Sequence, residues 1–149
     1  CVATHDQGVP TITYPATNPN VIACGSIDDT DHLYRSNFGP ELSVVAPGLN
    51  IWTTNASNSS YVQFSATSAA TPHVAALAAL LLSVQPELTV QQVRNIIELT
   101  AEKIKTYPFT TSKANGTWDD NVGYGLINVQ AAMEMVLPKF FPWEVIVDP

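Results

Sequence analysis

From Val74 to Leu82 the chain carries nothing but apolar residues. Wound as a helix, Val74, Ala75, Leu77, Ala78, Leu81 and Leu82 cover most faces, and a helix without a polar stripe needs burial on most sides. The period turns helical at Ser68, with Pro72 read in the first turn, where its missing N–H costs nothing, and Pro86 as the stop. The run is too short to span a bilayer. It predicts a central helix of a globular core.

The segments before it read as strands. Val21–Ile27 is nearly continuous in apolar and small residues, the pattern of a strand buried on both faces of a parallel sheet. Leu42–Ala46 predicts a second strand, stopped by Pro47-Gly48. Ile51–Thr54 and Tyr61–Phe64 predict two more, with a polar loop, 55–60, between them. After the long helix, Thr89 with Gln92 three residues on forms a capping-box pair. Val90, Val93, Ile96, Ile97 and Ala101 give the helix that follows one apolar stripe. Residues 105–121 read as a polar loop. Gly123-Tyr-Gly125 reads as a tight turn, and Asn128 as the cap of a third helix, Val129–Val136. The expected organisation is one domain over 1–137 and a tail or linker over 138–149. Cys1-Val-Ala3 reads as a stub of strand, so a fragment of a longer domain is expected; no signal-like segment follows it.

Composition removes several function classes. With 46% hydrophobic residues, wholesale disorder is not expected. Only six residues are Lys or Arg and the formal charge is −7, so neither nucleic acid nor an anionic membrane is an expected partner. Cys1 and Cys24 both sit in apolar runs and read as free core thiols rather than a disulfide scaffold. Asp28, Asp29 and Asp31 read as a solvated turn without an EF-hand pattern. Asn55, Asn58 and Asn115 stand in glycosylation sequons.

Ser68 is the candidate for chemistry. A serine at the start of a buried helix has its Oγ near free backbone N–H groups, where the helix dipole favours developing negative charge. Acyl transfer needs that environment. Serine is also a common helix cap, so the residue alone leaves both roles open. Its surroundings narrow the choice. Thr67-Ser68-Ala69-Ala70-Thr71-Pro72-His73-Val74-Ala75 is preceded, in order, by Tyr14-Pro-Ala16, Val21-Ile-Ala23 with Gly25, Gly39-Pro-Glu-Leu42 and Ala46-Pro-Gly48. Gly123-Tyr-Gly-Leu-Ile-Asn128 follows it. This ordered set resembles the C-terminal half of the subtilisin-like serine protease (subtilase) domain, over roughly residues 1 to 135.

The resemblance implies an α/β fold, a parallel twisted sheet with helices on both faces, of which this chain supplies the C-terminal part. It implies a serine endopeptidase acting through an acyl-enzyme at Ser68. The family's Asp and His precede its Ser along the chain, and no segment here matches theirs, so both belong upstream and the 149 residues alone are expected to be inactive. His73 belongs to the motif's Pro-His pair and reads as a hydrogen-bonded core residue; His32 reads as solvated. The family has Ala-Gly-Asn at the end of the first strand, with that Asn donating to the oxyanion. Here the residues are Ala3-Thr4-His5, which assigns His5 to the oxyanion site. Ala3, Thr4, Thr13, Tyr14 and Pro15 are expected to line the substrate pocket. Ala66 stands where the family has Gly, a position at which backbone approaches substrate or takes positive φ. No cofactor is required and no metal site is assigned. A structural Ca²⁺ at the carbonyls near Ala16, Asn18 and Val21, with Glu41, follows relatives that bind one. The implied partners are a peptide or protein substrate and the missing N-terminal half of the same domain; secretion is the family-level expectation. The rival reading, motivated by His5 and Ala66, is a pseudo-protease domain with a binding or assembly role.

Overall fold

The computed structural model describes residues 1–57 and 60–137. The expected tail, 138–149, and Asn58 lie outside the described residues. Three short parallel strands form the central sheet: β1 (Val2–Ala3), β2 (Ala23–Ile27) and β3 (Val44–Pro47), in spatial order β1-β2-β3. Val2 stands opposite Ala23, and Cys24 opposite Val44. Every residue of β2 is buried, as its unbroken apolar and small sequence requires. β2 begins two residues later than its composition suggests, because the Val21 N–H turns back to the Asn18 carbonyl. β3 begins later too, and ends on Pro47, where the missing N–H removes only the last rung. Beyond β3 the ladder continues as a parallel bridge from Val45 to Leu126.

Helix α1 (Thr67–Val84) packs across all three strands, and α2 (Val90–Leu99) and α3 (Val129–Val136) pack against α1. The caps read in the sequence form as expected. Thr89 accepts from the Gln92 N–H while the Gln92 side chain accepts from the Thr89 N–H, closing the capping box. Asn128 accepts from the Ala131 N–H. Val74, Leu77, Leu81, Ile97, Val44, Val45 and Leu42 are among the largest fully buried side chains of the core.

Other features add to, or depart from, what the sequence predicts. The hairpin β4 (Ile51–Thr54) and β5 (Tyr61–Phe64) is antiparallel and separate from the parallel sheet. The polar loop 105–121 contains a second hairpin, β6 (Thr111–Lys113) and β7 (Gly116–Trp118); it is pinned by buried Trp118, whose indole N–H donates to the Leu42 carbonyl at 2.8 Å. Cys24 is buried, but Cys1 is exposed. Above all, α1 is not buried all round. Its buried residues are Thr67, Ala69, Ala70, Val74, Leu77 and Leu81, one side only, while Ala75, Ala76, Ala79, Leu80 and Leu82 are exposed. The helix is long and apolar enough to cross a membrane by length and composition, yet its packing across the sheet makes it the core helix of a globular fold.

The tight turn after β7 depends on backbone alone. Gly123 has φ +62 and Gly125 φ +124, and a Cβ at either would meet the Ser43 or Glu102 carbonyl oxygen at 2.3 or 2.1 Å.

Candidate active site

Helix α1 starts one residue earlier than its apolar period suggests, so Ser68 is the second helical residue. Its backbone N–H is among the first four of the helix, which have no intrahelical partner. Thr67 and Ala69 on either side are buried, and Ser68 between them is exposed. Pro72 consequently lies in the second turn. It has no N–H to give the Ser68 carbonyl, the i−4 acceptor it would otherwise use. Ala66, at the N-cap, has φ −176, an extended conformation open to any residue, so alanine there is accommodated without strain.

Ala66 offers no side-chain cap. The capping group comes instead from 61 residues upstream: Asp6 Oδ1 accepts from the Thr67 backbone N–H at 2.7 Å and from its hydroxyl at 2.9 Å. A carboxylate at a helix N-terminus is favoured by the dipole as well as by the bonds. The loop that presents Asp6 is templated by Asn37, which is buried. Asn37 Oδ1 accepts from the Gln7 N–H at 3.0 Å, its Nδ2 donates to the Thr11 carbonyl at 2.9 Å, and its own N–H donates to the His5 carbonyl at 2.9 Å.

His5 takes φ +74, and its side chain is exposed with no hydrogen bond to any described residue. The structure therefore brings Asp6, not the His5 imidazole, to the start of the Ser68 helix. Sequence reasoning missed Asp6 because a contact across 61 residues has no local signature.

A cavity of about 440 Å³ opens beside Ser68, lined by Ile51, Trp52, Phe64, Ala69, Pro72 and His73 among others. Its rim is aromatic: Trp52 is 67% exposed and Phe64 45%. Ala3, Thr4, Thr13, Tyr14 and Pro15 are not part of this lining. Thr4 is fully buried, with its hydroxyl bonded to Ser36 and to the Cys24 carbonyl, so it offers no side-chain surface. Ala3 is half-buried on β1, whereas Thr13, Tyr14 and Pro15 are exposed in a loop closed by the Ala16 N–H to the Thr13 carbonyl. The Tyr14–Pro15 peptide is cis.

His73, His32, Asp28 and Cys24 each have partners of their own. His73 Nδ1 lies 3.0 Å from the Ala69 carbonyl, an acceptor only, so that nitrogen carries the proton and His73 is tied to its own helix. His32 pairs with the Thr30 hydroxyl in an exposed turn. Asp28 is held below the usual carboxylate range by the His32 N–H, with further bonds from Thr30. Burial pushes the Cys24 thiol up to about 12, which leaves it protonated and inert as a nucleophile.

The loop expected to hold Ca²⁺ offers a poor fit. The Asn18 carbonyl accepts from the Val21 N–H, and the Arg94 guanidinium donates to the neighbouring Pro19 carbonyl at 2.8 Å, setting a fixed positive charge against the loop. Among the described residues no group of three or more His, Cys, Asp or Glu could hold a metal ion.

Comparison with known proteins follows the same line. A family profile described as the subtilase family matches residues 4–125. Subtilisin DY of Bacillus licheniformis is 40% identical over 125 residues, covering 83% of this chain and 41% of the relative. Subtilisin NAT of Bacillus subtilis subsp. natto is 41% identical, covering 83% of this chain and 29% of the relative. The prenylagaramide maturation protease PagA superposes with a TM-score of 0.76 at 28% identity, over 91% of this chain and 50% of PagA. The self-cleaved protease domain of PatA gives a TM-score of 0.74 at 28% identity, over 90% and 48%. The chain thus spans half or less of the length of these relatives.

Proposed function

Because the chain belongs to the subtilase family, we propose that it is the nucleophile-bearing half of a serine endopeptidase domain that cleaves peptide bonds through an acyl-enzyme at Ser68. The observation that carries this reading is Ser68 itself. It is exposed between buried neighbours, on a first-turn N–H of a core helix, beside an open cavity. In the reaction, an upstream His takes the Ser68 hydroxyl proton as Oγ bonds to the scissile carbonyl carbon. An upstream Asp orients that His. The Ser68 N–H steadies the oxyanion of the tetrahedral adduct. Collapse of the adduct breaks the C–N bond; the amine leaves with the proton, and water hydrolyses the ester.

The partner that completes the site is the upstream half of the same domain. Supporting it is the bare side of α1, where Leu80 and Leu82 are 45% and 39% exposed on a helix with no polar stripe. β1 is also an unpaired sheet edge, with β2 as its one strand partner among the described elements. Between the two runs an apolar groove of about 220 Å³, lined by Cys1, Ile22, Ala78, Leu82, Leu88 and Val90 among others. The upstream half packs over this groove and adds the next strand. The 149 residues alone are accordingly inactive, and co-expression with the upstream half yields peptidase turnover that Ser68→Ala abolishes. Turnover by the purified chain alone, lost in Ser68→Ala, would overturn the assignment of the base to the upstream half.

One observation favours the second reading, a domain kept for binding or assembly without turnover. The acidic side chain at the start of α1, Asp6, cannot donate to an oxyanion as a carboxylate.

A further inference from the structure

We propose that Asp6 is the side chain that governs the oxyanion environment of Ser68, and that it holds the acylation rate down; the proposal rests on the reading of Ser68 as a nucleophile. The geometry begins with the loop. Thr4 continues the β1 ladder, its N–H donating to the Cys24 carbonyl, and its side chain is locked in the core. His5 then turns the chain through φ +74. Asn37 grips the loop at the His5 carbonyl and the Gln7 N–H. The result is a fixed carboxylate: Asp6 Oδ1 receives two bonds from Thr67, one peptide unit before Ser68.

Oδ2 of Asp6 has no hydrogen-bond partner among the described residues. It belongs to the carboxylate that Thr67 holds through Oδ1, one peptide unit before the Ser68 N–H at the N-terminal end of α1. A donor there would stabilise the developing negative charge; a carboxylate only accepts, and its charge has the same sign as the oxyanion. It also competes with the oxyanion for the favourable field of the helix N-terminus. Asp6→Asn keeps the Oδ1 acceptor for both Thr67 bonds and exchanges Oδ2 for an N–H donor of nearly the same size. Loss of one oxyanion donor typically slows acyl transfer about 10²–10³-fold, so gaining one in place of a repelling group accelerates it by about tenfold or more.

The test uses the protein with both halves present. Single-turnover acylation by an activated peptide ester is followed in the native sequence, Asp6→Asn, Asp6→Ala and His5→Ala, with a thermal melt of each to establish folding. A faster Asp6→Asn, by about tenfold or more with an unchanged KM, supports the proposal, and Asp6→Ala falls between the two. A purely structural cap predicts the opposite sign, because Asp6→Asn weakens the charge–dipole contact and cannot speed the reaction. An Asp6→Asn rate equal to or below the native one overturns the proposal while leaving Ser68 as the nucleophile. A tenfold fall in His5→Ala overturns it too, in favour of His5. No acylation of any folded protein in the set removes the nucleophile reading and this proposal with it.

Discussion

Replacing Arg94 by alanine tests the polar cross-link that ties α2 to the rest of the fold. Arg94 Nε donates to Glu98 Oε1 at 2.7 Å, one helical turn on. Nη1 reaches the Pro19 carbonyl at 2.8 Å and Nη2 the Ser43 hydroxyl at 3.2 Å, so one guanidinium joins α2, the loop before β2 and the entrance to β3. Glu98 is 3% exposed, and its other oxygen accepts from Asn115 Nδ2 at 2.7 Å in the turn of the β6–β7 hairpin. Arg94→Ala leaves a buried carboxylate with a single neutral donor. Breaking a buried pair from one side costs about 3–5 kcal/mol. The Arg94 side chain is 23% exposed, so water reaches the gap and the lower end, about 3 kcal/mol, applies. Arg94→Lys keeps the charge but not the three-armed geometry, and recovers less than half of the loss. The assay is urea unfolding of the protein with both halves present, in a cycle of Arg94→Ala, Glu98→Gln and the double variant. Because Glu98→Gln removes the stranded charge, the double variant is less destabilised than the two singles summed. A loss below about 0.5 kcal/mol in Arg94→Ala, or strict additivity in the cycle, would refute the account of a buried, coupled network.

Two further outcomes follow from single positions. Gly123→Ala combines a left-handed φ with a Cβ 2.3 Å from the Ser43 carbonyl oxygen; a loss of about 3 kcal/mol or more is expected by denaturant titration, and a variant as stable as the native protein contradicts the turn geometry. For the thiols, iodoacetamide at pH 8.5 modifies exposed Cys1 of the isolated 149-residue chain and spares Cys24, as mass mapping checks. The Cys24 thiol is raised from an ordinary 9.0 to about 12, so the unfolded chain ionises first. Its contribution is therefore complete below pH 9 and lost as pH rises from 9 towards 12. Alkylation of native Cys24 as fast as Cys1 would exclude that burial.

The legible parts of this fold were those with local signatures. The apolar run of α1, the Thr89/Gln92 capping box, the Asn128 cap and the small-residue strand β2 each follow from residues within a few positions of one another. The β6–β7 hairpin did not, because Thr111, Ser112 and Lys113 carry no apolar alternation; distant bonds, among them Trp118 to Leu42 and Asn115 to Glu98, hold it in place. The bare side of α1 has a physical reason. Its sequence is written for partners on most sides, and the described residues supply one side. At the candidate site Ser68 was legible from its motif. The Asp6 contact is not legible in the same way: the chain turns at His5, and a pairing with Thr67 across 61 residues leaves no local signature.

The most direct test of the central claim is covalent labelling of the protein with both halves present by a fluorophosphonate, followed by peptide mass mapping. The expected adduct sits on the Ser68 hydroxyl, is absent from Ser68→Ala, and is absent from the isolated 149-residue chain. A folded protein that carries no adduct at Ser68, or that is labelled at another residue and keeps its peptidase activity in Ser68→Ala, contradicts the assignment.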